Sequence, residues 1–296
     1  MMRSARYLLA VIDHGSFTRA AETLNVSQPA LSQQIRFLED TLGAKLLDRS
    51  GRTVRPTDAG QAYIRHLKAA LQNLDAAQRA VHDVGNLTSG VLRVAFLPLF
   101  TTYLVGPVVQ AFRKRYPDID LTIDILPQAV MERALLDDQY DVGVGLGDLA
   151  SLDVATEPLH DTELCVVVGK DHPLAGRRKL ASAKLSGLDL ALLDGAFVTR
   201  APINQYLKAN KVQPRIALES NSVDALVAIV QSTLLATILP AATARNLPGF
   251  SAIRLDPPFA TRTTSALLRR DGYRSAGTKA FLALLKERNW AAEPRR

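Results

Sequence analysis

The stretch from Ser16 to Gly60, SFTRAAETLNVSQPALSQQIRFLEDTLGAKLLDRSGRTVRPTDAG, sets helix starts, a tight turn and a glycine hairpin so close together that few folds can hold them. Ser16 is placed to cap a helix in which Phe17, Ala20, Ala21 and Leu24 recur at steps of three and four, and Asn25 and Val26 form the turn that follows. Ser27 caps the next helix, expected over Gln28 to Glu39. Its hydroxyl can accept an orphan backbone N–H, and Pro29 in the first turn lacks only an N–H that would have no partner. Leu31, Ile35 and Leu38 fall on one face of that helix. The other face carries Pro29, Ser32, Gln33 and Arg36, flanked by Gln28, Ala30 and Gln34. In a major groove glutamine can pair with adenine and arginine with guanine, and small Ala30 lets the backbone come close. Taken alone, the same pattern also fits an ordinary amphipathic surface helix.

The next residues add weight to the first reading. Leu46 and Leu47 lead into a short strand, a turn at Gly51 and a second strand ending at Pro56, a hairpin that carries Arg49, Arg52 and Arg55. Such a wing can lay guanidinium groups along phosphates or into a minor groove, whereas a solvated charged turn is the plain alternative. Helix, turn, helix and wing together predict a winged helix-turn-helix.

In their order these residues closely resemble the DNA-binding domain of the LysR-type transcriptional regulators. The resemblance is carried by Gly15-Ser16-Phe17, Ala20-Ala21, Leu24, Ser27-Gln28-Pro29-Ala30, Ser32, Ile35, Leu38-Glu39, Leu42-Gly43, Leu46, Arg49, Thr57 and Ala59-Gly60.

At 296 residues and 47% hydrophobic, the chain exceeds a single core and can bury more than one. Its net charge of +7 favours a polyanionic partner. Residues 1–60, however, hold eight Lys and Arg against six Asp and Glu, an excess of only two, so the placement of arginines has to matter more than bulk charge. The apolar run Tyr7 to Ile12 is too short for a secretory core, and no stretch approaches the roughly 20 apolar residues of a membrane span, so a cytoplasmic protein without membrane partners is expected. The one cysteine, Cys165, lies in Leu164-Cys165-Val166-Val167-Val168, which reads as a buried strand with an inert thiol.

From Thr57, itself a plausible cap, a long helix is expected to about Asn86. Ile64, Leu67, Leu71, Leu74 and Val81 occupy a and d positions of a heptad, with Gln78 as a polar a residue that could fix register. The seam suits pairing of two chains, although packing on its own domain would use the same pattern. The family resemblance implies the pairing: this would be the linker helix through which two DNA readers meet a palindrome with fixed half-site spacing.

Gly85, Asn86, Ser89 and Gly90 loosen the chain before strand-like and helical runs begin to alternate. Strands are expected at 91–96, 121–125, 141–146, 163–168, 188–193, 215–218, 235–239 and 264–268, with helices at 104–115, 131–138, 203–209, 223–231 and 278–288. This βαβ rhythm predicts a mostly parallel sheet with both faces covered, and only the tail Ala291 to Arg296 reads as disordered. The family resemblance implies a fold like periplasmic binding proteins, two α/β lobes crossed by hinge strands. The expected organisation is therefore residues 1–60 as winged helix-turn-helix, 61–87 as linker and dimerisation helix, and 88–296 as effector-binding domain. Lobe one would be about 91–161 and 267–290, and lobe two about 162–266.

Open α/β sheets bind ligands beyond the carboxyl ends of their strands. The loop Leu97 to Thr102 and the loop Asp194 to Arg200 each follow a strand and open a helix, and Gln128, Gly147 and Asn221 occupy equivalent loops. Leu99, Thr101, Thr102, Gln128, Gly147, Thr199, Arg200 and Asn221 are accordingly the candidate effector contacts. The hydroxyls could equally be caps, and Arg200 a surface residue. Phe100-Thr101, Gly106-Pro107, Ala196-Phe197, Thr199-Arg200 and Ser220 to Ser222 further resemble the subgroup that regulates cyanate operons, which implies cyanate or a similar linear anion as effector. A departure stands beside this: family members often carry a glycine-rich turn before their Leu-Pro, and here Ser232-Thr233-Leu234-Leu235 precedes Leu239-Pro240.

An enzyme is not indicated. There is no G-x-S-x-G elbow, Walker loop or H-E-x-x-H, and His14, His66, His82, His160 and His172 show no metal spacing, so no cofactor or metal is expected. A transport binding protein would have no use for residues 16–60. The reading is an effector-responsive transcription factor, with an effector-independent repressor or architectural DNA-binding protein as the alternative. Its expected partners are double-stranded DNA bearing an interrupted palindrome, a small-molecule effector, further copies of itself in dimers and tetramers, and RNA polymerase.

Overall fold

In the computed structural model the chain divides into two compact units, Met1–Gln78 and Arg79–Arg296. The structure describes residues 2–51, 53–82, 90–287 and 289–290. Arg52, the connection at Gly85, Asn86 and Ser89 expected to be loose, the tail Ala291–Arg296 expected to be disordered and the side chains of Gln78 and Val81 lie outside the described residues.

In the first unit α1 (Met2–His14) turns Ala5, Leu8 and Val11 inward. Gly15 and Asn25, at φ 60° and 52°, turn the chain into α2 (Phe17–Thr23) and toward α3 (Gln28–Leu42). Both caps are in place: Ser16 Oγ accepts from Arg19 N and Ser27 Oγ from Ala30 N, each at 3.4 Å. α3 runs nearly a turn past Glu39 because its stop is Gly43, left-handed at φ 63°, where a side chain would be strained. β1 (Leu47–Asp48) and β2 (Arg55–Pro56) form the antiparallel wing. Thr57 then starts α4 (Asp58–His82), its hydroxyl accepting from Gly60 N at 3.0 Å and donating to Lys45 O at 2.6 Å. Gly60 is obligatory here, since a Cβ would stand 2.0 Å from the Leu46 carbonyl oxygen.

Glu39 joins these pieces. It is 2% exposed, and its Oε1 accepts from Leu46 N at 2.9 Å and Leu47 N at 3.1 Å, while Oε2 faces Lys45 Nζ at 3.5 Å and Arg49 Nη2 at 3.3 Å. One carboxylate on the helix thus supplies acceptors to the chain entering the wing, where the donors would otherwise be buried without partners.

In the second unit β3 (Gly90–Phe96) is followed by a 3-10 turn at Pro98–Thr102 and α5 (Val105–Arg115). β4 (Ile119–Ile125), α6 (Gln128–Leu136), β5 (Val142–Leu146) and β6 (Val154–Thr162) complete the outward run of the first lobe. The chain then crosses into β7 (Leu164–Gly169), β8 (Lys179–Ala181), β9 (Asp189–Leu193), α7 (Arg200–Ala209) and β10 (Arg215–Ser220). After α8 (Val223–Ser232), β11 (Thr237–Pro240), α9 (Ala241–Asn246) and β12 (Phe250–Asp256) it crosses back into β13 (Arg262–Arg269) and α10 (Ala276–Lys286).

The first lobe's sheet has the order β4-β3-β5-β13-β6, and the second lobe's β11-β7-β12-β8. β9 and β10 extend the second through the bridge Leu190 to Ala236. The sheets are mixed, not mostly parallel: β13 runs antiparallel to both β5 and β6, and β7 antiparallel to both β11 and β12. β13 joins the first lobe from Arg262, so the return crossing comes before residue 267. Buried Thr162 and Thr264 hydroxyls meet at 2.8 Å where the crossing strands pair. Among the described residues, no helix is long and apolar enough to cross a membrane.

β7 is buried on both faces: Cys165 and Val167 enter one core, Leu164, Val166 and Val168 the other. Burial pushes the Cys165 thiol up to about 12. The thiolate fraction at pH 8 is then negligible, so the native chain is expected to leave a disulfide reagent uncoloured until denaturant is added; rapid titration of one thiol in the native state would contradict this. For the first unit, Glu39→Ala is expected to lower unfolding stability by about 2–4 kcal/mol in urea, because two buried N–H groups lose their acceptor. An unchanged midpoint would remove Glu39 from the joint described above.

Candidate nucleic-acid interface and effector cleft

On α3 the core side and the outer side are cleanly divided. Leu31, Ile35, Leu38 and Glu39 are buried, whereas Ser27, Gln28, Pro29, Ala30, Gln33 and Arg36 are exposed and Ser32 is half-buried. Gln34 is tied inward by Ser4, whose Oγ donates to its Oε1 at 3.0 Å. Among the described residues nothing holds the side chains of Gln33 or Arg36, so both are available to a partner. Phe37, 62% exposed beside Arg36, adds an apolar surface that the residue pattern gave no reason to single out.

The wing is fixed at both ends. Val54 N donates to Gly15 O at 3.0 Å, and Asp48 accepts from the Ser50 N–H at 2.9 Å and its hydroxyl at 2.7 Å. Those bonds hold the Asp48 carboxyl below its usual range. Of the wing arginines, Arg55 is exposed and Arg52 lies outside the described residues. Arg49 is exposed as a residue, but its guanidinium pairs with buried Glu39 and lies over the Phe17 ring at 4.7 Å, which makes it a positioning residue for the wing.

The heptad on α4 serves its own unit first. Leu67 is 8% exposed in the first unit's core, and Ile64 and Leu71 pack half-buried against the same cluster. Leu74 is 40% exposed and is not part of that core. Leu67 is therefore not free for a second chain, because the first turns of the helix are needed to close the domain beneath them.

In the second unit the turn after β3 and the loop after β9 border a cavity of about 250 Å³. Leu97, Pro98, Leu99, Pro127 and Gln128 form the first lobe's wall. Ala196, Phe197, Val198 and Asn221 form the second lobe's. Gln128 is internally committed: its Nε2 donates to Leu146 O at 3.0 Å and Asp148 O at 2.7 Å, and its Oε1 accepts from Leu146 N at 3.0 Å. Arg262 connects the lobes, donating from Nη1 to Val198 O at 3.0 Å and pairing through Nη2 with Asp148.

The comparisons with known proteins cover the whole arrangement. Residues 2–61 match the family described as bacterial regulatory helix-turn-helix protein, lysR family, and residues 85–290 match the LysR substrate binding domain. The chain belongs to the LysR family. It is a LysR-type transcriptional regulator with a DNA-binding and an effector-binding domain, and not an enzyme.

Among its relatives is the nitrogen assimilation regulatory protein nac of Escherichia coli (strain K12), 32% identical over 83% of this chain and 80% of that protein. A probable RuBisCO transcriptional regulator of Thalassiosira pseudonana is 30% identical over 95% of this chain and 94% of its own. Solved structures with the same fold include a full-length OxyR variant from Pseudomonas aeruginosa, with TM-score 0.73 and 23% identity over 98% of this chain and 96% of that one. CbnR complexed with its target DNA follows at TM-score 0.66 and 20% identity over 97% and 98%.

Within this LysR-family cleft, Leu99, Gln128 and Asn221 line the cavity, and the other candidate contacts do not. The Thr101 hydroxyl donates to Pro98 O at 2.8 Å, and Thr102 donates to Leu99 O at 3.2 Å while meeting Thr243 at 3.1 Å. Gly147 donates its N–H to Thr263 O at 3.0 Å, and Thr199 is buried. Arg200 is withdrawn into the second lobe, where it donates to Leu193 O at 2.8 Å and Asn204 Oδ1 at 3.0 Å and pairs with Glu219 at 2.6 Å. Pro127 and the apolar runs Leu97-Pro98-Leu99 and Ala196-Phe197-Val198 make the wall instead. The hydrophobicity of those loops was the usable signal.

Arg49 and Arg55 should separate in experiment. Arg55→Ala is expected to keep the unfolding midpoint while reducing the slope of log affinity against log salt by about 1. Arg49→Ala should lower the midpoint first; an Arg49→Ala variant altered only in its salt slope would refute the inward role.

Proposed function

We propose that this regulator reads an interrupted palindrome in a promoter as a dimer or dimer of dimers, and changes its grip on that DNA when a small molecule occupies the cavity between the lobes. The observation that carries the reading is the outer face of α3, where Gln28, Pro29, Gln33 and Arg36 stand exposed on a helix whose opposite face is locked into the core. That helix can enter a major groove as a rigid body, with Gln33 and Arg36 meeting base edges and Ser27, Ser32 and Ala30 lying close to the backbone. Arg55, with Arg52, lies on the flanking phosphates. Pairing uses the heptad of α4 beyond Leu71, beginning at Leu74, which is 40% exposed, and continued in the sequence by Gln78 and Val81.

The link from cavity to DNA begins at Arg262. A ligand against Val198 touches the residue whose carbonyl Arg262 holds, and the same guanidinium holds Asp148 of the other lobe, so occupancy biases the relation between lobes. A changed relation between dimers alters the DNA bend and the surface offered to RNA polymerase. Cyanate as the effector rests on the sequence resemblance alone; the lining of the cavity offers it no cationic side chain.

The test is binding to the promoter of the divergently adjacent gene. Gln33→Ala and Arg36→Ala are each expected to cost about 1–3 kcal/mol of affinity and to relax preference at a single base position, with unaltered unfolding because both side chains are exposed. Binding as tight and as selective as the unaltered chain would end the recognition-helix reading.

A further inference from the structure

We propose that the inter-lobe cavity takes an uncharged, largely apolar molecule with the bulk of a substituted single ring and one hydrogen-bonding group, and that it excludes free carboxylates and small inorganic anions. This rests on the reading of that cavity as the effector site.

Size comes first. A dry cavity of about 150 Å³ is enough for benzene, so about 250 Å³ leaves room for a ring and a substituent and is far larger than a triatomic anion requires. Leu97, Leu99, Val198 and the ring of Phe197 present apolar surface from both lobes. The two longest polar side chains among the candidate contacts are engaged elsewhere. Arg200 holds Leu193 O, Asn204 and Glu219, and the Gln128 amide is committed to Leu146 and Asp148. Asp194, which accepts from Ala196 N at 3.0 Å, adds negative charge to the second lobe's loop. No ionisable side chain is among the lining residues, so a bound anion would lose its hydration with no counter-charge to replace it. Among the lining side chains this leaves the Asn221 amide, exposed and without a hydrogen bond among the described residues, able to donate to a carbonyl or accept from a hydroxyl.

The full chain can be titrated by calorimetry with benzamide, benzoate and cyanate, three probes that separate shape from charge. Benzamide is expected to bind about tenfold or more tightly than benzoate, and cyanate to give no heat. Benzoate or cyanate binding as well as benzamide, or benzamide failing to bind, overturns the proposal. Asn221→Lys, a change on an exposed side chain, is expected to reverse the order and favour benzoate; an unreversed order would show that the missing counter-charge is not the cause and would also overturn it. Ala196→Trp tests the underlying site separately. It fills the cavity from its exposed rim and should abolish benzamide binding in a chain that still unfolds normally. Undiminished binding to that variant places the ligand elsewhere, which defeats the effector-site reading itself, whatever the order of the probes.

Discussion

A single buried carboxylate governs the geometry of the DNA-binding unit. The chain leaving α3 has to turn back into the wing, and at that bend the Leu46 and Leu47 N–H groups point away from water. Glu39 answers both from the helix and uses its second oxygen on Lys45 and Arg49. Arg49 in turn lies on Phe17 of α2. Helix, wing and the preceding helix therefore share one charge-assisted network, and the orientation of α3 relative to the wing is a property of that network. Gly60 completes the arrangement by letting α4 press directly on the Leu46 carbonyl.

The readable parts of the fold were those decided by local chemistry. Ser16 and Ser27 announce their helices because a cap acts within three residues of itself, and the Leu31-Ile35-Leu38 stripe announces which side faces inward. The end of α3 was harder, since Gly43 marks it through a backbone angle and not through a change in pattern. β6, β8 and β12 escaped notice for a related reason. β6 is an edge strand, and its Val-Ala-Thr-Glu-Pro-Leu-His-Asp-Thr reads as a polar loop until β13 is beside it. β8 has three residues, and β12 buries little beyond Ile253 and Leu255.

The cleft shows the same division between local and tertiary information. That loops after β3 and β9 would border it follows from strand order, a general rule for open sheets. Which of their side chains line it does not follow, because a hydroxyl or guanidinium is available only if nothing nearer claims it. Thr101 and Thr102 are claimed by their own turn, and Arg200 by a strand end, a helix and a neighbouring strand. The heptad on α4 is a parallel case. Its leucines have the spacing of an intermolecular seam, but the earliest of them are needed to cover the core of their own unit.

The position of β13 sets an order on how this chain can come to exist. It pairs with β5 on one side and β6 on the other, and it lies more than a hundred residues after either begins. On the ribosome, the first lobe's early strands emerge, then the whole second lobe, and only afterwards the strand that joins β5 to β6. Until Arg262–Arg269 has been made, β6 has no neighbour and β5 is open on one side, leaving exposed edges of the kind that recruit other chains. The lobe begun first is thus the lobe finished last, and a message truncated between Thr162 and Arg262 carries β5 and β6 without the strand that joins them, an open sheet edge in place of a closed lobe.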